Sequence, residues 1–259
     1  MKIGIAGCTG RMGQMLVKEI ALADDLYLAG GITRDTTDLP DNVPILKDAE
    51  DLFAVADLVI DFTAPDSSVY NARVAANIRK PLLIGTTGLS ESHMKEIRAS
   101  AEQTPILYTP NASVGVNVML EAVREVASKL GSNFDIEICE AHHSKKVDAP
   151  SGTALALGRA AALGRGIDLS SHAVFERHGN TGVRTENEIG FSVIRGGDIV
   201  GEHTVYFIGQ GERIEITHRA TDRALFARGA LQASRWLATQ PAGFYEMRDF
   251  LDSSHTHRD

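Results

Sequence analysis

The chain has 259 residues, 43% of them hydrophobic and 23% charged, with a formal net charge of −8 at pH 7. That composition fits a globular protein of one large or two modest domains with a sizeable core, and the negative balance argues against a general nucleic-acid or anionic-membrane surface. Two cysteines, Cys8 and Cys139, are too few for a disulfide framework, and the first residues show neither a leader pattern nor a spanning segment, so a cytoplasmic, reduced protein is expected.

In chain order, Lys2 to Ala6 is a short apolar run that breaks into Gly7-Cys-Thr-Gly-Arg-Met-Gly13 and continues as an amphipathic helical pattern from Gln14 to Leu22. The glycine spacing is a variant of the dinucleotide fingerprint, in which glycine permits a tight turn and close approach of a pyrophosphate to a helix N-terminus. An ordinary strand-to-helix turn would tolerate the same glycines; the position after the first strand favours the dinucleotide. A second apolar run, Leu26 to Ile32, ends at Thr33, Arg34 and Asp35, where such folds place an acid on the ribose of NAD. Arg34 offers a fork for a 2′-phosphate or a plane to stack on adenine, which favours NADPH, while Asp35 keeps NADH open. A solvated surface arginine is the plain alternative.

The alternation continues with strand Asp57 to Thr63, helix Pro65 to Arg79, strand Pro81 to Ile84, helix Ser90 to Gln103 and strand Pro105 to Tyr108. Continuous apolar strands between helices mean a parallel sheet covered on both faces. Residues 1–112 therefore read as a Rossmann-like dinucleotide-binding domain. Its strand ends carry Phe62-Thr63, Gly85-Thr86-Thr87-Gly88 and Thr109-Pro110-Asn111-Ala112, candidates for the nicotinamide end of a crevice, although the Gly85 to Gly88 segment also suits a turn with a helix cap.

A long helical pattern then runs to Leu130, with Gly131 as its C-cap. Phe134 to Cys139 alternates apolar and acidic residues, one buried and one wet face. Glu140-Ala-His-His-Ser-Lys-Lys-Val-Asp-Ala-Pro-Ser-Gly-Thr153 follows, and Ser151 is placed to cap the run Ala154 to Leu163. Proton donors thus lie between a strand end and a helix start, whose backbone N–H groups favour an anion. Ser170 to Asn187 reads as a polar loop near this site. Glu188 to Ile194, Asp198 to Ile208 and Glu212 to Thr217 are strand-like runs without intervening helices. The expected fold class is α/β, an N-terminal Rossmann-like parallel sheet domain plus a C-terminal α+β domain (residues 113–219) with a mixed or antiparallel sheet. Residues 220–259, with the helix Leu225 to Ala238, are expected to join the first domain.

The glycine turn, the Glu140 to Ala154 stretch, Arg195-Gly-Gly-Asp-Ile-Val-Gly-Glu-His-Thr204 and Glu212-Arg-Ile-Glu-Ile-Thr-His-Arg-Ala220 together resemble the 4-hydroxy-tetrahydrodipicolinate reductase (dihydrodipicolinate reductase) family over nearly the whole chain. The resemblance implies reduction of a cyclic, imine-like dicarboxylate by NADH or NADPH in lysine and diaminopimelate synthesis, in a homotetramer joined through the C-terminal sheets. It implies proton transfer by His142, proton donation by Lys146, and substrate contacts from His143, Gly152 and Thr153. It also implies cofactor contacts from Gly7, Cys8, Thr9, Gly10, Arg11, Met12, Arg34, Gly85, Thr86, Thr87, Thr109, Pro110, Asn111 and Ala112. Many members have a glutamate before the arginine; here Thr33 stands there, which removes a ribose acceptor and a charge that would repel a 2′-phosphate. NADPH is therefore expected to serve at least as well as NADH.

Lys145 and Asp148 are left without separate roles, and Arg195 is read either as part of a basic pocket or as fixing a glycine turn. His203 and His218, inside strand-like runs, are expected to be structural. A metal on Cys139, His142 and His143 lacks any paired-cysteine spacing, so none is expected. Two other classes compete: a different NAD(P)-dependent dehydrogenase on the same fold, and a non-catalytic NADPH-binding regulator. Neither cysteine looks placed for acyl transfer, and a regulator need not keep His142, Lys146 and the Ser-Gly-Thr turn together.

Overall fold

The computed structural model describes residues 1–34 and 43–253, so Asp35 lies outside the described residues. The chain divides into two units, Met1–Val114 with Ala224–Asp259, and Gly115–Arg223. In the first, the elements are β1 (Lys2–Ala6), α1 (Arg11–Ala21), β2 (Tyr27–Ile32), α2 (Ala49–Val55), β3 (Leu58–Asp61), α3 (Pro65–Ile78), β4 (Leu82–Ile84), α4 (Glu91–Ala101) and β5 (Pro105–Tyr108). α5 (Val114–Leu130) leads out of it, and α8 (Ala224–Leu237), β11 (Gly243–Glu246) and α9 (Met247–Ser253) complete it.

Its strands pair in the order β11-β5-β4-β3-β1-β2, every pairing parallel. Ile3, Ile5, Leu58, Ile60, Leu83 and Leu107 point to one face, where Leu16 and Ile20 of α1 and Leu231 and Leu237 of α8 cover them. Val59, Leu82, Ile84 and Ile106 point to the other, against Leu52, Phe53, Val69 and Ile97 of α2, α3 and α4. Each such side chain, once buried, contributes roughly 1.5–3 kcal/mol, which explains why these strands read as unbroken apolar runs. The Rossmann-like parallel sheet expected from the alternation is present. Three elements were not legible: α2 and α9, whose seven residues each are too few to show a period, and β11, a short aromatic segment that adds a parallel edge strand beside β5.

The second unit holds β6 (Asp135–His142), α6 (Gly152–Arg165), α7 (Leu169–His172), β7 (Ala173–Val174), β8 (Ile189–Arg195), β9 (Gly201–Ile208) and β10 (Arg213–Ala220). The strand order is β10-β9-β6-β8-β7; β9 runs antiparallel to both β10 and β6, while β6, β8 and β7 are parallel, so the sheet is mixed. Ile136, Ile138, Ile189, Phe191, Val205 and Phe207 face Met119, Val123 and Ala127 of α5 and Ala154, Leu157 and Ala161 of α6. The polar segment from residue 170 differs from expectation in two ways. It begins with the short α7 and β7, and its arginines are tied away from the Glu140 to Thr153 stretch: Arg177 pairs with Glu137 at 2.9 Å, and Arg184 with Asp135 at 3.0 Å. Glu137 is five residues before His142, about 17 Å along a strand.

In α8, a Cβ on Gly229 would stand 1.9 Å from the carbonyl oxygen of Ala112. Alanine improves helix propensity by about 1 kcal/mol over glycine, but overpacking against fixed backbone costs about 1–3 kcal/mol, so the clash wins. Gly229→Ala is expected to lower the thermal midpoint by several degrees, read by calorimetry; an unchanged or raised midpoint would show that the helix seat yields.

Candidate active site

In the first unit, β1 ends in a turn that glycine makes possible. Gly7 has φ of +84°, and a Cβ there would lie 2.6 Å from the carbonyl oxygen of Phe62. Gly10 follows, its N–H donating to the Gly7 carbonyl at 3.0 Å, and it caps α1 with no side-chain hydrogen bond. The opening N–H groups of α1 therefore receive no acceptor from their own cap, the condition under which a helix start takes an anion.

Two cavities meet over this turn and share Gly10, Phe62 and Thr63 as walls. One, of about 620 Å³, is lined by Gly7, Thr9, Thr33, Arg34, Lys47, Tyr70 and Asn71 among others. The other, of about 470 Å³, is lined by Arg11, Met12, Gly85, Thr86, Thr87, Pro110, Asn111, Ala112 and Phe226 among others. Gly85 matters sterically, since a Cβ there would fall 2.1 Å from the Phe62 ring. Thr33 is bound to Thr9 through their hydroxyls at 2.6 Å.

Most of the residues expected at the cofactor therefore border this crevice. Cys8 and Thr109 do not: Cys8 is fully buried beneath Gly31, and the Thr109 hydroxyl donates to the Asn111 carbonyl at 2.7 Å. Both shape the loops from behind. Beneath the same wall lies Asp61, fully buried, with Thr63 donating at 2.6 Å and Asn71 at 3.1 Å. Burial pushes its carboxyl up, against those hydrogen bonds.

In the second unit, β6 places Ile136, Ile138, Glu140 and His142 on one face by simple alternation. The inner surface thus turns from apolar to polar at the strand's end. Glu140 is 1% exposed and accepts from four donors. Oε2 takes His142 Nδ1 at 2.5 Å and Arg195 Nη1 at 2.8 Å; Oε1 takes Ser151 N–H at 2.9 Å and Arg195 Nη2 at 2.8 Å. Burial pushes this carboxyl up, but Arg195, His142 and Ser151 outweigh it and hold it below its ordinary range. Burial pushes the His142 imidazole down, opposed by the Glu140 charge. The pair is carboxylate and neutral imidazole at neutral pH.

Around this centre, the chain leaves β6 and is pinned by His143 N–H donating to Ile199 at 2.8 Å and Gly196 N–H donating to His142 at 3.0 Å. Lys146 follows, its ammonium on Asp148 at 2.8 Å, so the aspartate partners Lys146. Ser151 caps α6, accepting from Ala154 N–H at 3.1 Å, which presents the first-turn backbone of Gly152 and Thr153. The Ser151 hydroxyl also meets His203 Nε2 at 3.1 Å, and the His203 ring stands edge-on to His142 at 5.1 Å. His142, His143, Lys146, Gly152 and Thr153 are thus gathered at one end of this sheet. Sequence reasoning missed Glu140 and undervalued Arg195 and His203. The signal for Glu140 was available: an acid in phase with the buried isoleucines of its own strand.

His203 is pushed down to about 4 by burial and by its neighbour His142. An imidazole kept neutral in the fold makes the unfolded chain bind more protons between about pH 6.5 and 4, so this contribution is full above about 6.5 and is lost as pH falls, by up to about 3 kcal/mol. The thermal midpoint is expected to fall across that window, and His203→Gln to flatten the fall. Parallel curves for the two proteins would assign the loss to carboxylates instead.

With this geometry in hand, comparison with known proteins places the chain. Residues 1–112 match the family described as dihydrodipicolinate reductase, N-terminus, and residues 115–251 its C-terminus. The 4-hydroxy-tetrahydrodipicolinate reductase of Burkholderia thailandensis is 46% identical over 264 residues, spanning 97% of this chain and 98% of that one. The protein of the same name from Anaeromyxobacter sp. is 44% identical over 261 residues, with 97% of each chain covered. Among solved structures, dipicolinate-bound dihydrodipicolinate reductase from Paenisporosarcina sp. TG-14 shares the fold with a TM-score of 0.79 at 22% identity, covering 95% of this chain and 97% of that one. The chain belongs to the dihydrodipicolinate reductase family.

Proposed function

We propose that this chain reduces 4-hydroxy-tetrahydrodipicolinate to tetrahydrodipicolinate with NADPH or NADH, a step of lysine and diaminopimelate synthesis. The observation that carries the reading is the strand end of β6, where His142 and the Ser151 helix start bind one buried carboxylate and Lys146, paired with Asp148, follows in the same loop. That arrangement offers proton delivery beside an anion site, as a dicarboxylate acquiring charge requires.

The crevice of the first unit fits a dinucleotide: a helix start without a side-chain cap, and walls at Gly7 and Gly85 that a Cβ would close. Gly7, Gly10, Arg11 and Met12 would hold the pyrophosphate. Arg34 would take the adenosine end, with Thr33 presenting a hydroxyl where an acid would oppose a 2′-phosphate. Gly85, Thr86, Thr87, Pro110, Asn111 and Ala112 would hold the nicotinamide end. The cofactor supplies the hydride when bound.

On the substrate side, the backbone of Gly152 and Thr153 binds one carboxylate at the α6 start, with His143 and the exposed Lys145 completing the contact. Lys146, held by Asp148, delivers the proton that balances the incoming hydride, and His142 accepts or returns a proton at the same place. A positioned acid of this kind contributes about two to four orders of magnitude in rate, roughly 3–5 kcal/mol. We also propose a homotetramer joined through the C-terminal sheets, working in the cytoplasm. The face of the mixed sheet opposite α5 and α6 presents Thr204, Tyr206, Ile208 and Thr217. Among the described residues no helix is long and apolar enough to cross a membrane.

Absorbance of reduced nicotinamide is expected to fall when the protein meets NADPH and substrate made in place by the preceding synthase from pyruvate and aspartate semialdehyde. NADPH is expected to serve at least as well as NADH in kcat/KM; a clear NADH preference would refute the part given to Thr33 and Arg34. Lys146→Ala is expected to lower kcat about 10²–10⁴-fold with NADPH binding unchanged, and equal loss of both would make the lysine structural.

A further inference from the structure

We infer that Glu140 is the positioning residue of this site: its carboxylate fixes the His142 proton on Nδ1, so the imidazole meets substrate through Nε2 alone, and it locks Ser151 and Arg195 into the same unit. The inference rests on the reductase reading and adds a residue to it. All four groups around the carboxylate are donors. Ser151 N–H and both Arg195 nitrogens can only donate, and they occupy one position on Oε2 and two on Oε1. The remaining contact, at 2.5 Å, is His142 Nδ1, and a bare carboxylate oxygen there requires an N–H. Nε2 lies beside Gly201, where even a Cβ would come within 3.0 Å, and no hydrogen bond to it is formed among the described residues. A neutral ring held in this tautomer accepts a proton at Nε2 and donates one only after becoming imidazolium, which leaves Lys146 as the donor.

Glutamine at position 140 is the discriminating change. It replaces one acceptor by an NH₂ in a ring of donors. Turned towards Oε1 it would face Ser151 N–H and Arg195, neither of which can become an acceptor. Turned towards Oε2 it faces Arg195 and His142, and the imidazole alone can adapt by moving its proton to Nε2. A tautomer flip is therefore forced. The charged and titratable groups that bear on His142 are Glu140 on its own strand, Arg195 on β8, His203 on β9 and Lys146 in the following loop; behind them His218 on β10 faces His203, and Asp148 faces Lys146 and Arg195. Of these, the nearest negative charge is Glu140, so its loss drives His142 towards lower pH.

The test uses the full chain labelled with ¹⁵N-histidine, the His142 signals being identified by their loss in His142→Gln. Wild type is expected to show Nδ1–H at His142 near neutral pH, and Glu140→Gln to show Nε2–H. In the same variant kcat is expected to fall about 10²–10⁴-fold, the His142 limb of the pH profile to move to lower pH, and the NADPH dissociation constant to stay within about twofold. An Nε2–H tautomer in wild type would overturn the inference, even if Glu140→Gln fails to fold. So would a variant whose kcat falls with tautomer and pH limb unmoved, or whose kcat is unchanged. Wild type that does not oxidise NADPH with synthase-made substrate would refute the reductase reading, while the two tautomers would still decide whether Glu140 orients the ring.

Discussion

A carboxylate with 1% exposure sets the terms for the second unit. Removing such a charge from water costs several kcal/mol, and burial is tolerated only when its lone pairs are filled with good geometry. Glu140 meets that condition with an arginine fork, a backbone N–H and an imidazole, each from a different part of the chain: β8, the start of α6, and its own strand. The electrostatic requirement is thereby turned into a geometric one. To satisfy Glu140 the fold must bring the Ser151 turn against the end of β6 and hold Arg195 across from it. That places Gly152, Thr153, His142 and Lys146 within one small region without any of them needing to be held by substrate.

The first unit works by a different constraint, the exclusion of atoms. Its crevice exists because side chains are missing at chosen points. Gly7 permits both a left-handed turn and contact with the Phe62 carbonyl, and Gly85 makes room for the Phe62 ring that stands in both cavities. Few charges line it, Arg11, Arg34 and Lys47 being the cations. Backbone N–H groups and hydroxyls are among the other polar groups it offers, which suits a ligand whose phosphates are recognised by amide dipoles and whose rings need flat apolar walls.

These two kinds of constraint explain what the sequence disclosed. The parallel sheet was legible because burial on both faces demands unbroken apolar strands, and Ile3, Ile5, Ile60 and Leu83 write that demand directly. The glycine turn was legible because a steric need leaves one permitted residue. α2 and β11 were not, being too short for a period to emerge. At the site, His142 and Lys146 stood out as residue types, whereas Glu140 did not, since a lone acid at a strand end gives no sign of burial until its phase with Ile136 and Ile138 is counted. The arginine that completes it lies 55 residues away, and nothing local to Arg195 reveals a parallel pairing of β6 with β8. The polar loop from residue 170 misled for the same reason, its arginines serving the far end of β6.

The buried polar row also extends beyond what chemistry at His142 needs. Glu140, His203 and His218 are directly opposed across β6, β9 and β10 in register, and the Nδ1 atoms of both outer histidines have no hydrogen-bond partner among the described residues. An unsatisfied buried nitrogen costs about 1–3 kcal/mol, so the row is not explained as a stabilising core. Its effect is on charge. Burial pushes both His203 and His218 down, so at neutral pH they fill the space behind His142 with neutral rings. A cation in that position would compete with His142 for the single carboxylate. The row therefore keeps Glu140 committed to the imidazole and to Arg195, and the stability given up at His203 and His218 is the counterpart of a histidine whose proton has one place to be.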